Sequence, residues 1–433
     1  MPSHPHHLSP PSASPALPEA QSKPRRRHQP HGIGKRYGIG KRYGIGKRYG
    51  LAVFALLCCG SLLLGCGSGV FDLAASDRVD TTQREVVQRV DSGGEEVVRI
   101  LNLAGKVTVR GGGQALEIRA TVHANAGDAD STEALLDSME WTEMRDSKNR
   151  LVWGLSYPVD QYQRFHYNPK NTSYGIYRSS LEYQGEDIVI SSRKGRHPTL
   201  YADLEVIVPA GGRVSVTNHL GELSARDYEG QLALHTGSGD LVAERIDGRF
   251  SAHTGSGDIE ASNLRGELEA STGSGDLEIR GLVGNGNFGT GSGNLRLSEL
   301  AMGKLRADTG SGDVRLITGE VSRLEVDTGS GDVQIRDVNT RQILADTGSG
   351  DIRITTRLAE TQTIRGGTGS GDLEIFAEAE AAFEARCDDL DLGYRDAELT
   401  LQGDSIVKAT RGTDGTRIEL STGSGHCRLA PAG

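Results

Sequence analysis

One pentapeptide governs what this chain can become: Thr-Gly-Ser-Gly-Asp, followed by an aliphatic residue. Its threonines stand at 236, 254, 272, 290, 309, 328, 347 and 368, at intervals of 18, 18, 18, 19, 19, 19 and 21. Asn294 replaces the Asp in one copy. The motif returns at Thr422 after 54 residues, three times 18, and a degenerate copy, Asn218-His-Leu-Gly-Glu-Leu, lies 18 before Thr236. This spacing predicts twelve coils from Asn218 onward, three of them poorly marked. A fixed period near 18 marks an architecture in which each unit buries its apolar face only against its neighbours.

Within a unit the apolar residues alternate. Phe250, Ala252 and Thr254 share one face, and Ile259 and Ala261 share the face beyond the turn. Alternation with β-branched residues is strand grammar, and each unit reads as two short strands and two turns. Identical turn residues at a near-constant period need identical environments, which stacked coils provide and an antiparallel meander does not. The predicted fold is all-β: a parallel β-solenoid (β-helix or β-roll) of 18–19-residue coils, with a small α+β capping region on its N-terminal side. Only 36% of residues are hydrophobic and 5% aromatic, too few for one large globular core but enough for a thin one drawn out along a stack. Twelve coils at strand spacing would extend about 55–60 Å.

The N-terminal stretch is different material. Residues 1–65 hold 10 Lys/Arg and one acid, leaving 38 Lys/Arg against 57 Asp/Glu, or −19, in the remainder. A body so acidic argues against nucleic acid as partner. Residues 2–31 are rich in Pro, His and Ser and read as disordered. Gly-Ile-Gly-Lys-Arg-Tyr then runs three times from Gly32 to Tyr49, ahead of the apolar run Leu51–Leu64. Fourteen apolar residues suit a signal-peptide core rather than a span of the bilayer. The run ends Leu63-Leu64-Gly65-Cys66, which resembles the bacterial lipobox. That resemblance implies cleavage before Cys66, acylation of its thiol and amino group, and, with Gly67 rather than Asp following, an outer-membrane destination. The expected partner of the anchor is the membrane. Two or three acyl chains hold a protein stably where one does not.

The expected organisation is therefore 1–65, basic leader and lipoprotein signal; 66–85, lipid-anchored linker; 86–210, strands with a short helix and a Tyr-rich insertion; 211–433, the repeat solenoid. In the third region, Val97–Val109 reads as a first coil. Asp130-Ser-Thr-Glu133 looks like a capping box opening a helix to about Met139. Strands are expected near 151–156, 187–191 and 201–209. Cys387 and Cys427 are permitted a disulfide by an envelope location; two separate thiols are the alternative.

The repeat array, the entry Leu204–Val216 and the early Asn102-Leu-Ala-Gly-Lys-Val107 together resemble the bacterial putative-adhesin domain, a Gly-Asp β-repeat family of largely unknown function. The resemblance spans about 86–429. It implies an envelope-exposed β-solenoid and carries over no catalytic residue, cofactor or metal. The insertion Tyr157–Tyr183 departs from the family's short connection.

Three features compete for function. The Asp column (240, 258, 276, 313, 332, 351 and 372, with Asn294) resembles the calcium β-roll in coil length, but Asp follows Gly directly and the nine-residue unit is missing. The expected role is turn capping by accepted N–H bonds, and no metal site is assigned. The insertion packs seven aromatics into 27 residues: Tyr157, Tyr162, Phe165, Tyr167, Tyr174, Tyr177 and Tyr183. These are candidate contacts for an envelope glycan or protein, against the alternative that the rings pack the loop. Outward charges such as Glu260, Glu278, Arg296, Arg315 and Arg353 form ladders, yet no unit stands out with a catalytic cluster. The expected function is an adhesin-like binding or scaffold module and not an enzyme. A carbohydrate-active β-helix enzyme is second and a self-assembling solenoid third.

Overall fold

The computed structural model describes residues 80–90, 97–145, 149–167, 178–183, 185–192 and 195–432. Cys66, Tyr174 and Tyr177 lie outside them. These residues form a parallel β-solenoid of about nine coils, each of roughly 19 residues. Corresponding residues of neighbouring coils pair in register, Leu241 with Ile259 and Leu277, and Thr236 with Thr254 and Thr272.

Each coil has three bends rather than two. In the coil Leu241–Thr254, one bend is the Gly-Ser-Gly turn. The second is at Arg245, which takes φ +55°. The third is at Gly248, with φ +128°. The Arg245 bend recurs at Asp227, Asn263, Glu299, Thr318 and Asp337, all left-handed. Only Asn and Asp adopt that conformation readily among these types, so the sequence does not announce it. The third bend explains the change of period. Gly284 pairs with Met302, but the next pair is Asn285 with Lys304, so Gly303 is one residue extra. The longer coils keep that residue and dispense with a positive φ at this corner.

Inward residues fill a narrow core by volume compensation. Phe250 lies two residues before Ala252, Leu268 before Ala270, and Leu305 before Ala307. One coil reverses the order: Gly286 precedes Phe288. A Cβ on Gly286 would lie 2.5 Å from the Phe288 ring, which takes the missing volume.

The turn is held by a buried hydroxyl. Thr272 Oγ1 donates to the Gly257 carbonyl of the coil before (2.8 Å) and accepts from Gly275 N–H of its own turn (3.1 Å). The same pair of bonds recurs at Thr254, Thr290, Thr309, Thr328 and Thr347. The third residue of the turn must be Gly, because a Cβ on Gly275 would stand 2.0 Å from the Gly257 carbonyl oxygen. Asn substitutes for Thr at the start of the column: Asn218 Nδ2 donates to the carbonyls of Gly105 and Gly221. Asn102 pairs in register with Asn218, so Val98–Ala104 and Val107–Gly113 do make a first coil.

On the N-terminal side, Thr199–Pro209 pairs with Val107–Gly113 and with Leu116–Asn125, and Thr82–Val90 forms the outermost strand there. The helix runs Ala129–Asp137, and its cap is Asp128 rather than a residue of the expected box. Asp128 accepts from Ser131 N–H at 2.8 Å. It precedes the box because the extended residue after Gly127, itself at φ +98°, is where the chain turns into the helix.

The C-terminal end departs most from expectation. Thr422 stacks directly on Thr368. The column from Asn218 therefore has ten levels, where the spacing predicts twelve. The 54-residue interval holds one coil and an excursion. Phe383–Arg386 and Leu390–Leu392 form a rung beyond the coil Thr416–Pro431, which is thus inserted between Thr363–Ala377 and that outer rung. Cys387 of the outer rung is disulfide-bonded to Cys427 of the inserted coil.

The hydroxyl ladder sets a measurable cost. Thr328→Val leaves the Gly312 carbonyl and the Gly331 N–H without partners in a buried turn, so stability should fall by about 2–4 kcal/mol. Thr328→Ser, which keeps the oxygen, should cost less than half of that. Denaturant midpoints and hydrogen exchange at the Gly331 amide provide the comparison.

Candidate functional site

The Asp column is a second ladder. Asp258 N–H donates to Asp240 Oδ1 of the coil before (3.0 Å), and Asp276 N–H to Asp258 Oδ1 (2.9 Å). The series continues through Asn294 Oδ1 to Asp372, whose Oδ1 accepts from His426 N–H. Turn capping is therefore the observed role, but between coils rather than within one turn. Asn294 fits because the ladder uses an acceptor oxygen and not a charge. Among the described residues, no group of three His, Cys, Asp or Glu is arranged to hold a metal ion.

The aromatic insertion is mostly interior. Tyr157, Phe165, Tyr167 and Tyr183 are buried. Tyr157 meets Phe165 and Tyr183 edge-on at 5.8 and 5.7 Å between ring centroids. Tyr183 donates to the Leu155 carbonyl, while the Tyr157 hydroxyl is buried without a partner. Burial pushes both phenols up. Tyr162 is half-buried. The four buried rings serve packing, and they present no surface as they stand.

The outward charges are paired, Arg296 with Glu278 and Arg353 with Glu374 between coils, and Arg315 with Asp313 within one coil. Such exposed pairs contribute about 0–1 kcal/mol each.

The reversed coil, Leu277–Thr290, creates a recess that the sequence reading missed. Its outward residues Asn285, Asn287 and Gly289 are short, and they lie between two longer rows. Glu267 and Glu269 form one wall, Lys304 and Arg306 the other, and the notch encloses about 850 Å³. Its groups differ in availability. Glu267 is paired with Arg249, Arg306 with Asp308, and Asn285 Oδ1 accepts from Lys304 N–H at 2.9 Å. Glu269 and Asn287 have no side-chain partner among the described residues. One coil thus departs from the repeat in shape, although the departure brings no catalytic cluster with it. The legible signal was Gly286, which occupies a register position held by Phe250, Leu268 and Leu305 elsewhere. A second recess of about 630 Å³ lies at the corner of the longer coils, near Gly303, Ser322 and Arg341.

Beside the notch the row preceding the turn threonines changes from His235, His253 and Ser271 to Asp308, Asp327 and Asp346. His235 and His253 stack at 4.9 Å. His253 lies 2.8 Å from Ser251 Oγ and 2.5 Å from Ser271 Oγ. Burial holds His235 below the ordinary histidine range, helped by His253 and Arg150, and burial does the same to His219. Burial, then Asp327, pushes the Asp346 carboxyl up.

Comparison with known proteins gives one family match: residues 264–429 fit the model described as Toastrack DUF4097. No curated protein matches the chain. Among solved structures, a putative cell adhesion protein from Clostridium sporogenes is 12% identical, covering 81% of this chain and 100% of that one, with a TM-score of 0.17. A putative adhesin from Bacteroides fragilis is 13% identical, covering 81% and 97%, at 0.26. A putative lipid binding protein from Parabacteroides distasonis is 10% identical, covering 81% and 96%, at 0.28.

With its carboxylates engaged by backbone amides, the Asp ladder needs no cation. Millimolar calcium should shift the melting temperature by no more than about 2 °C. Asp313→Asn should be tolerated, and Asp313→Ala should cost about 1 kcal/mol. The histidines fix a pH dependence. A folded-state value below the unfolded one means the unfolded chain binds more protons. The stabilisation is thus complete above the unfolded value near 6.5 and is lost as pH falls below it. Urea unfolding between about pH 7 and 5 should show this slope, and the double variant His219→Gln, His235→Gln should flatten it.

Proposed function

We propose that the protein is a lipid-anchored binding module of the cell envelope, held at Cys66 in the outer membrane, that takes a glycan in the notch over Asn285 and Asn287. The supporting observation is the reversed coil: a single low step, floored by amides, between a row of carboxylates and a row of cations. Sugar hydroxyls need paired donors and acceptors, which Asn287 and Glu269 offer without losing an existing bond. Acidic substituents would meet Lys304 and Arg306. The stacked backbone fixes the spacing of these groups in advance, which lowers the entropy cost of binding. The notch exposes no aromatic ring for stacking, so each site should bind weakly and gain from many anchored copies. At the insertion, ligand contact falls to Tyr162, Tyr174 and Tyr177. Binding is favoured over catalysis because Glu267 is committed to Arg249 on an exposed face.

Binding of hexosamine-containing envelope oligosaccharides, measured by calorimetry, tests the reading. Asn287→Arg should weaken it at least tenfold with an unchanged melting temperature. Survival of binding in that variant, with loss on deleting 168–177, would transfer the site to the insertion. Release of new reducing ends would establish the enzyme reading instead. Cys66→Ser should abolish palmitate labelling and membrane association; a labelled Cys66→Ser protein would refute the anchor.

A further inference from the structure

The excursion at the C-terminal end finishes in a hairpin, Glu398–Gln402 with Ser405–Arg411, and Ser405–Arg411 in turn pairs with Phe383–Arg386. Glu398–Gln402 is the outermost strand, and its far edge is unpaired among the described residues. Every residue of it is exposed. Leu401 at 60% and Leu399 at 48% are the two most exposed large hydrophobic residues described. Two positions apart on one strand, they point to the same face. Lys, Pro and inward charges, which usually guard an edge, are absent from Glu-Leu-Thr-Leu-Gln, and the register shift between Thr400 and Leu401 puts its extra residue, Val407, on the neighbouring strand rather than on the edge strand.

We propose that this edge joins a second copy of the chain, antiparallel, about a two-fold axis at Thr400. The sequence is self-complementary in that register. Leu399 faces the partner's Leu401, Thr400 the partner's Thr400, and Glu398 the uncharged partner's Gln402. Four leucines then gather on one face, and no like charges stand opposite within the strand. A two-fold contact of this kind uses one patch twice and closes on itself, giving a dimer rather than a fibre. Beyond the strand, Asp396 would meet the partner's Asp404, which limits pairing to five residues; Asp396 is already tied to Arg411. A foreign strand would find the same free edge but no reason for this symmetric sequence.

So short an interface gives a weak dimer, expected in the range of roughly 10–100 μM for so small a buried area. Sedimentation of the full-length chain in detergent, from roughly 1 to 200 μM, should show the protein mass doubling with concentration. Leu401→Lys should weaken association at least tenfold without lowering the melting temperature, since the side chain is exposed. Thr400→Cys should form an interchain disulfide across the axis much faster than Ser330→Cys or the unmodified chain. A monomer throughout, a dimer indifferent to Leu401→Lys, or equal cross-linking at 400 and 330 would each overturn the proposal.

Discussion

The structure rests on a buried hydroxyl placed once per coil. A parallel stack has no side-chain core thick enough to hold its turns, so the turn backbone must satisfy itself between coils. The threonine oxygen does this in both directions, donating to the coil before and accepting from its own turn. Everything near it follows. The third turn residue is Gly because the carbonyl of the previous coil leaves no room for a Cβ. The next residue is Asp or Asn because its side-chain oxygen must accept an amide from the coil above. The repeated pentapeptide is thus a record of hydrogen bonds between coils.

What the sequence disclosed tracks how local each cause is. The strands, their facing and the stacking of Asn102 under Asn218 follow from alternation and from the turn residues. The left-handed bend at Arg245 and its equivalents was hidden because backbone geometry there is imposed by stacking, and Asp, Arg, Asn, Glu and Thr all submit to it. The inserted coil was hidden for another reason. An interval of three periods counts residues, and residues can leave a stack and return. The pairing of Thr422 with Thr368 depends on contacts 54 residues apart.

The candidate site was legible only as an exception. The aromatic cluster drew attention by composition, yet four of its five described rings are interior. The recess was marked by absence, at Gly286, Asn287 and Gly289, where the repeat elsewhere supplies bulk. In a repetitive scaffold, identical columns carry stability, and information for a ligand resides where a column is interrupted. The compensating Phe288 shows how one coil gave up side-chain volume at one position without leaving a hole in the core.

The inserted C-terminal coil also orders events in time. A chain that emerges from its amino end lays down the coils through Ala377 and then the rung Phe383–Leu392 before Thr416–Pro431 exists. Until then Thr363–Ala377 and the rung both lack the partner that Thr416–Pro431 gives each of them in the finished stack, and the gap is not yet filled. Only residues made after the rung can close it, and Cys427 arrives with them to meet Cys387. The disulfide therefore acts as a completion mark: a truncated chain can build most of the stack, but it cannot latch it.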